Sequence, residues 1–186
     1  MTTQTATPTE ILRHEHQVIL LVLAAARREA ESIRRAGKVD AGRVGKMVDF
    51  FRNFADRCHH GKEETLLFVK MEQRGIPREG GPIGVMLAEH DAGRSLVRAV
   101  AAALPGAEGG DRAAALSIAE GLLAYADLLE QHIEKEDDCL YPMADNVLSP
   151  ADQRELAAGF AKVEAEEMGE GTHERFHQLA HELAEG

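Results

Sequence analysis

The chain has no tryptophan, and aromatic residues fill only 4% of its 186 positions. That scarcity, beside abundant Ala, Leu and Glu, favours helix over strand. Cysteine is nearly absent. Cys58 and Cys139 make no disulfide framework, which fits a reducing compartment. Long apolar runs are missing too. The longest, VILLVLAAA at 18–26, is well short of the ~20 residues a spanning helix needs. The polar opening MTTQTATPTE lacks the positive-then-apolar order of a secretory signal, so a cytoplasmic protein is expected. Positive charge is also sparse. The 21 Lys and Arg face 32 Asp and Glu, giving a formal net charge of −11 with no basic stripe. Nucleic acid and anionic membrane surfaces are therefore poor partners. What remains is 44% hydrophobic and 28% charged, the balance of one compact domain with a sizeable core.

Helix punctuation is frequent. Thr7-Pro8-Thr9-Glu10 offers a capping Thr, Pro at the first helical position and Glu at the third, and Gly37 is a natural stop. Asp40 can cap a second helix reaching Gly75. Pro82 can open a third that ends near Leu104, before a turn at PGAEGG. Asp111 can cap a fourth, which Pro142 kinks or ends. Ser149-Pro150-Ala151-Asp152 starts a fifth, and Thr172 can cap a short sixth. No segment alternates as a strand would. The expectation is an all-α chain, with an up-down-up-down four-helix bundle over 8–145 and two extra C-terminal helices at 149–186 packing on it.

The apolar stripes contain polar residues. Spacings of three and four align Ile118, Leu122, Tyr125, Leu129, His132, Glu136, Cys139 and Met143 on the fourth helix. The same spacing aligns Val44, Val48, Phe51, Ala55, His59, Glu63 and Leu66 on the second. His16 sits between Leu12 and Ile19, and His90 between Met86 and Val97. The neighbouring register through Asp49, Arg52, Asp56, His60 and Glu64 is polar, which turns His60 and Glu64 toward water. His14, His177 and His181 are expected to be solvated. Tyr125, Cys58 and Cys139 are expected to pack in the core.

Six residues thus point inward: His16, His59, Glu63, His90, His132 and Glu136. They repeat. The interval from His59 to His132 equals that from Glu63 to Glu136, and His16 to His90 is one residue longer. The flanks echo as well: Glu15-His16 with Glu89-His90, Lys62 with Lys135, Leu67-Phe68 with Leu140-Tyr141. Buried carboxylates and imidazoles are costly unless paired, and a cation between the helices removes the cost. Imidazole with carboxylate suits iron, manganese or zinc and argues against calcium. Six ligands can hold two ions, bridged by the glutamates. Glu167, in line with Leu156, Phe160 and Val163, is a further candidate ligand, and His173 can close the site as a ligand or a partner of one.

This pattern, His16, His59-x-x-x-Glu63, His90 and His132-x-x-x-Glu136, resembles the H-HxxxE-H-HxxxE motif of the hemerythrin-like family, whose domain is the HHE cation-binding domain. The flanks HHGKEETLLF and HIEKEDDCLYP are similar to that family too, and the resemblance covers about residues 8–145. It implies a four-helix bundle with a non-haem di-iron centre: two iron ions, with Mn or Zn as alternatives. It also implies a small diatomic or peroxide ligand. Binding or sensing of O2, NO or peroxide is expected. The alternatives are a di-iron enzyme acting on peroxide or NO, or a role in iron handling or storage. The invertebrate O2 carriers of this family have a second third-helix His where Arg94 stands here, and end the fourth-helix motif in an Asp where this chain offers Glu136 and Asp137. That departure points away from simple O2 carriage. A monomer or homodimer is expected.

Overall fold

In a computed structural model, described for residues 6–169 and 171–185 apart from the side chains of Glu167 and Met168, the chain is all-α. The first rod, α1 (Pro8–Ala36), opens with a complete capping box from Thr7 and Glu10. It closes at Gly37, whose N–H still reaches the Ile33 carbonyl and whose left-handed φ of 67° turns the chain out of the helix. The second rod runs without a break through α2 (Ala41–Phe50), the π-helical segments π1 (Phe51–His60) and π2 (Glu63–Leu67), and α3 (Phe68–Gln73). The third is α4 (Pro82–Glu108). The fourth joins α5 (Arg112–Lys135), π3 (Glu136–Leu140) and α6 (Tyr141–Val147). Asp40 and Asp111 cap the second and fourth rods.

Neighbouring rods run antiparallel. Thr9 meets Asp145, His16 meets Asp137 and Arg27 meets Glu130, so partners on the fourth rod descend as α1 ascends. The extension comes next as α7 (Pro150–Val163), π4 (Glu164–Met168) and α8 (Thr172–Glu185). A capping box from Ser149 and Asp152 starts it. α8 packs along α1 and α2, and α7 along α1 and π2.

Two boundaries differ from expectation. α4 continues through Pro105 to Glu108. Proline there lacks an N–H so near the helix end that few backbone bonds are lost, and the turn is delayed to Gly109-Gly110. The fourth rod also runs on past Pro142, which lies in the first turn of α6.

The apolar stripes slip after each glutamate. Leu67, not Leu66, and Leu140, not Cys139, enter the core. Cys139 is exposed, so its expected core role is overturned, while Cys58 is buried. The cause is local. The Phe68 N–H bonds to the Glu63 carbonyl and the Tyr141 N–H to the Glu136 carbonyl, both five residues back. Each such π turn inserts a residue and rotates the rest of its rod about the helix axis.

The core has two apolar layers. One gathers Ile19, Val22, Phe50, Phe51, Phe54, Val97, Leu122, Tyr125 and Leu129, and is closed by Phe176, Ala180 and Leu183 of α8. The other gathers Leu12, Leu67, Phe68, Met86, Leu140 and Tyr141, and is closed by Leu156 and Phe160 of α7. The polar residues at 15–16, 59–63, 89–90 and 132–136 fall between these layers along every rod.

Candidate metal centre

All six inward residues expected from the sequence converge, and each is at most 1% exposed. The Nε2 atoms of His16 and His59 lie 3.1 Å apart, as do those of His90 and His132. The two pairs are linked. Glu136 places Oε2 3.2 Å from His16 Nε2 and Oε1 3.2 Å from His132 Nε2. Glu63 Oε2 lies 3.8 Å from His59 Nε2 and 3.4 Å from His90 Nε2.

The other ring nitrogen of each histidine is tied to a carboxylate. Nδ1 donates to Asp137 from His16 (2.9 Å), to Glu15 from His59 (2.9 Å), to Glu64 from His90 (2.7 Å) and to Glu89 from His132 (2.9 Å). Such partners fix the tautomer and aim Nε2 inward. A third layer holds these carboxylates. The Lys62 ammonium donates to Glu15 and, at 2.8 Å, to Glu164 of π4, while Lys135 donates to Glu89. Arg94 donates to Glu64 at 2.6 Å and to Asp56 at 2.8 Å. One inner contact has no twin: the Tyr141 hydroxyl donates to Glu63 Oε1 at 2.6 Å, where the first half has Phe68.

Electrostatics reflect burial set against pairing. Burial lowers the His16 imidazolium, but contacts with Asp137 and Glu136 outweigh it and raise the group to about 9. His90 also reaches about 9, against its burial, through Glu63 and Glu64. Burial pushes the Glu136 carboxyl up, yet His132 and His16 hold it well below its ordinary value. Lys62 is raised despite burial by the charge on Glu15, so it stays an ammonium. Burial pushes the Cys58 thiol up to about 12, which leaves it unreactive.

The donor set fits metal ions. Glu63 Oε2 and both Glu136 oxygens are buried and face the inner imidazoles at 3.2–3.8 Å, with no well-formed hydrogen bond. Orphaned carboxylate oxygens are expensive unless a cation meets them. His16, His59 and Glu136 offer three ligand atoms within 4.8 Å of one another, and His60, Glu63, His90 and His132 offer four.

Other expectations are corrected. His60 is buried, not solvated: it stacks on His90 with centroids 3.8 Å apart. Burial and the neighbouring imidazoles push it well below its ordinary 6.5. Both His59 and His60 are buried at the end of the π-helical segment π1, outside the regular α register from which His60 was expected to face water. Glu64 is half-buried and orients His90 instead of facing water. His177 is half-buried against Phe54, whereas His14 and His181 are exposed. His173 Nε2 lies 3.4 Å from Glu15 Oε1, outside the inner ring. The Glu167 side chain lies outside the described residues. Tyr125 packs on Phe51. The outer carboxylates and lysines have only one signal in the sequence, the echoed Glu-His pairs and the Lys62–Lys135 match.

The profile of the hemerythrin HHE cation-binding domain matches residues 7–144. The chain belongs to this family. The hemerythrin-like chain is also 28% identical, over 164 residues, to uncharacterized proteins of Mycobacterium tuberculosis and Mycobacterium bovis. Those residues are 88% of this chain and 64% of each relative, so it spans less than two thirds of their length. No solved structure matches. Among the described residues, no helix is long and apolar enough to cross a membrane.

Proposed function

We propose that this hemerythrin-like chain holds two iron ions and binds O2, NO or peroxide at them. His16, His59, His90 and His132 would hold the ions, together with Glu63 and Glu136, each of which lies near an imidazole of both pairs. The observation that carries the reading is the paired Nε2 geometry joined by Glu136, whose two oxygens have no other partner. Mn or Zn suits the same donors, but Zn has no redox chemistry and would not make them an O2 or peroxide site.

Two ferrous ions would carry more positive charge than two glutamates offset. That leaves room for an anionic or polarisable ligand at the centre. A cavity of about 180 Å3, lined by His60, His90, Gly93, Arg94, Tyr125 and Leu129, reaches this side of the ring and supports a route for a small molecule. The Tyr141 hydroxyl, fully buried and hydrogen-bonded to Glu63, keeps its proton because burial and the nearby Glu136 and Glu63 push the phenol well above its ordinary value, so it can hold a bound ligand in place by a hydrogen bond. That hydroxyl also favours a second reading, an enzyme that turns over peroxide or NO. The free thiols fit the reducing, cytoplasmic setting read from the sequence.

The test is to load metal-free protein with Fe(II) under anaerobic conditions and add O2, NO or hydrogen peroxide separately. A reversible optical change supports binding, and sustained consumption of peroxide or NO supports catalysis. Loading far beyond two irons per chain would move the function to storage. Loaded protein whose spectrum ignores all three reagents would overturn the proposal.

A further inference from the structure

The inner ring is nearly two-fold, but His60 breaks the symmetry. The interval that carries His59 to His132 carries His60 to Ile133, an apolar residue. His60 is therefore a fifth buried imidazole with no twin. It lies on the same side as Glu63, His90 and His132, and these four residues offer ligand atoms within 4.8 Å of one another. The other half offers three such residues.

His60 also has the beginnings of the outer shell that the four inner histidines have. Its Nδ1 lies 3.5 Å from Asp56 Oδ1, and Asp56 is held by Arg94 at 2.8 Å. At that separation no hydrogen bond forms, and Nδ1 is buried without a partner. A buried ring nitrogen left unpaired is costly, which is a reason to look for what the ring does. Its parallel stacking on His90 at 3.8 Å brings the two rings to the same place in the ring of donors.

Resting on the di-metal reading above, we infer that His60 is a ligand of the ion held by His90 and His132, so that the two ions differ in their imidazole count. Ligation through one nitrogen would place the proton on the other, facing Asp56. The loose approach would become the fifth imidazole–carboxylate pair of the centre. The two ions would then differ in affinity and in the positions they leave open.

The experiment uses the full chain loaded with Zn(II), which is diamagnetic, and long-range 15N–1H spectra of the imidazoles. Five histidines with a metal-shifted ring nitrogen are expected. Co(II) titration of metal-free protein then compares the native chain with His60→Phe, with each fold checked by circular dichroism. His60→Phe should weaken one of the two ions beyond the roughly 10–100-fold that loss of an outer partner costs, and leave the other unchanged. Four metal-shifted histidines in the native chain, with two ions bound, would overturn the inference while leaving the di-metal reading intact. That result would make His60 a stacking partner of His90. Failure to bind either ion would instead overturn the underlying reading. The native spectrum decides the matter even if the variant does not fold.

Discussion

Glu15 and His59 meet at 2.9 Å, carboxylate oxygen to ring Nδ1, in an interior where the two side chains are almost wholly sealed from water. The pair sets the tautomer of His59 and leaves its Nε2 for the centre. Glu15→Gln is expected to lower the affinity of one ion roughly 10–100-fold, as is Glu89→Gln at His132. Competition against a chelator of known affinity measures it. Unchanged affinity in both variants would contradict the assigned roles.

Lys62 and Lys135 are sequence echoes with unequal surroundings. The Lys62 side chain is fully buried under α7, between Glu15 and Glu164, whereas that of Lys135 is 43% exposed. Lys62→Met strips a buried carboxylate of its cation and is expected to cost about 3–5 kcal/mol. Lys135→Met should cost less than about 1 kcal/mol, since its ion pair is open to solvent. Urea unfolding of metal-free protein compares them, and equal losses would refute the asymmetry.

Much of this was legible in the residues. Thr7, Asp40, Asp111 and Ser149 announce helix starts by their chemistry, and the six inner ligand candidates stand in stripes that are otherwise apolar. His60, Glu64, Leu67 and Leu140 were not legible, because a constant helical period cannot foresee a π turn. Each turn shifts the downstream register by one residue, and nothing about Glu63 or Glu136 alone signals that its carbonyl will accept from five residues on. Lys62 reads as surface by type. Its burial depends on α7 and π4 arriving with Phe160 and Glu164, a tertiary fact.

His16 and His90 give metal-free protein a pH signature. Both are raised from an ordinary 6.5 to about 9, so each favours the folded state most fully below pH 6.5. That contribution fades as pH climbs from 6.5 to about 9. His60 is shifted the opposite way and costs stability only below its ordinary 6.5, outside this window. The melting temperature of metal-free protein should fall across the window. Metal loading at neutral pH should release protons, since ligating imidazoles must be neutral. A flat melting profile with no proton release would contradict the paired imidazoles.

Tyr141 tests the difference between the halves. Tyr141→Phe removes the hydroxyl from Glu63 and gives the second half the residue that Phe68 supplies in the first. Metal-free protein should lose roughly 1–3 kcal/mol, because Glu63 keeps a buried oxygen without its donor. Metal stoichiometry should be unchanged. A variant as stable as the native chain would show that the 2.6 Å contact carries no weight.

The most direct measurement is the metal content of the chain after anaerobic loading with Fe(II) and desalting, beside His59→Ala, His132→Ala and a surface control, His181→Ala. Two irons are expected in the native chain and in the control, with loss of iron and of stability in the other two, where buried carboxylates are left uncompensated. Native protein that retains no iron, or inner variants that retain as much as the control, would contradict a metal centre at these residues.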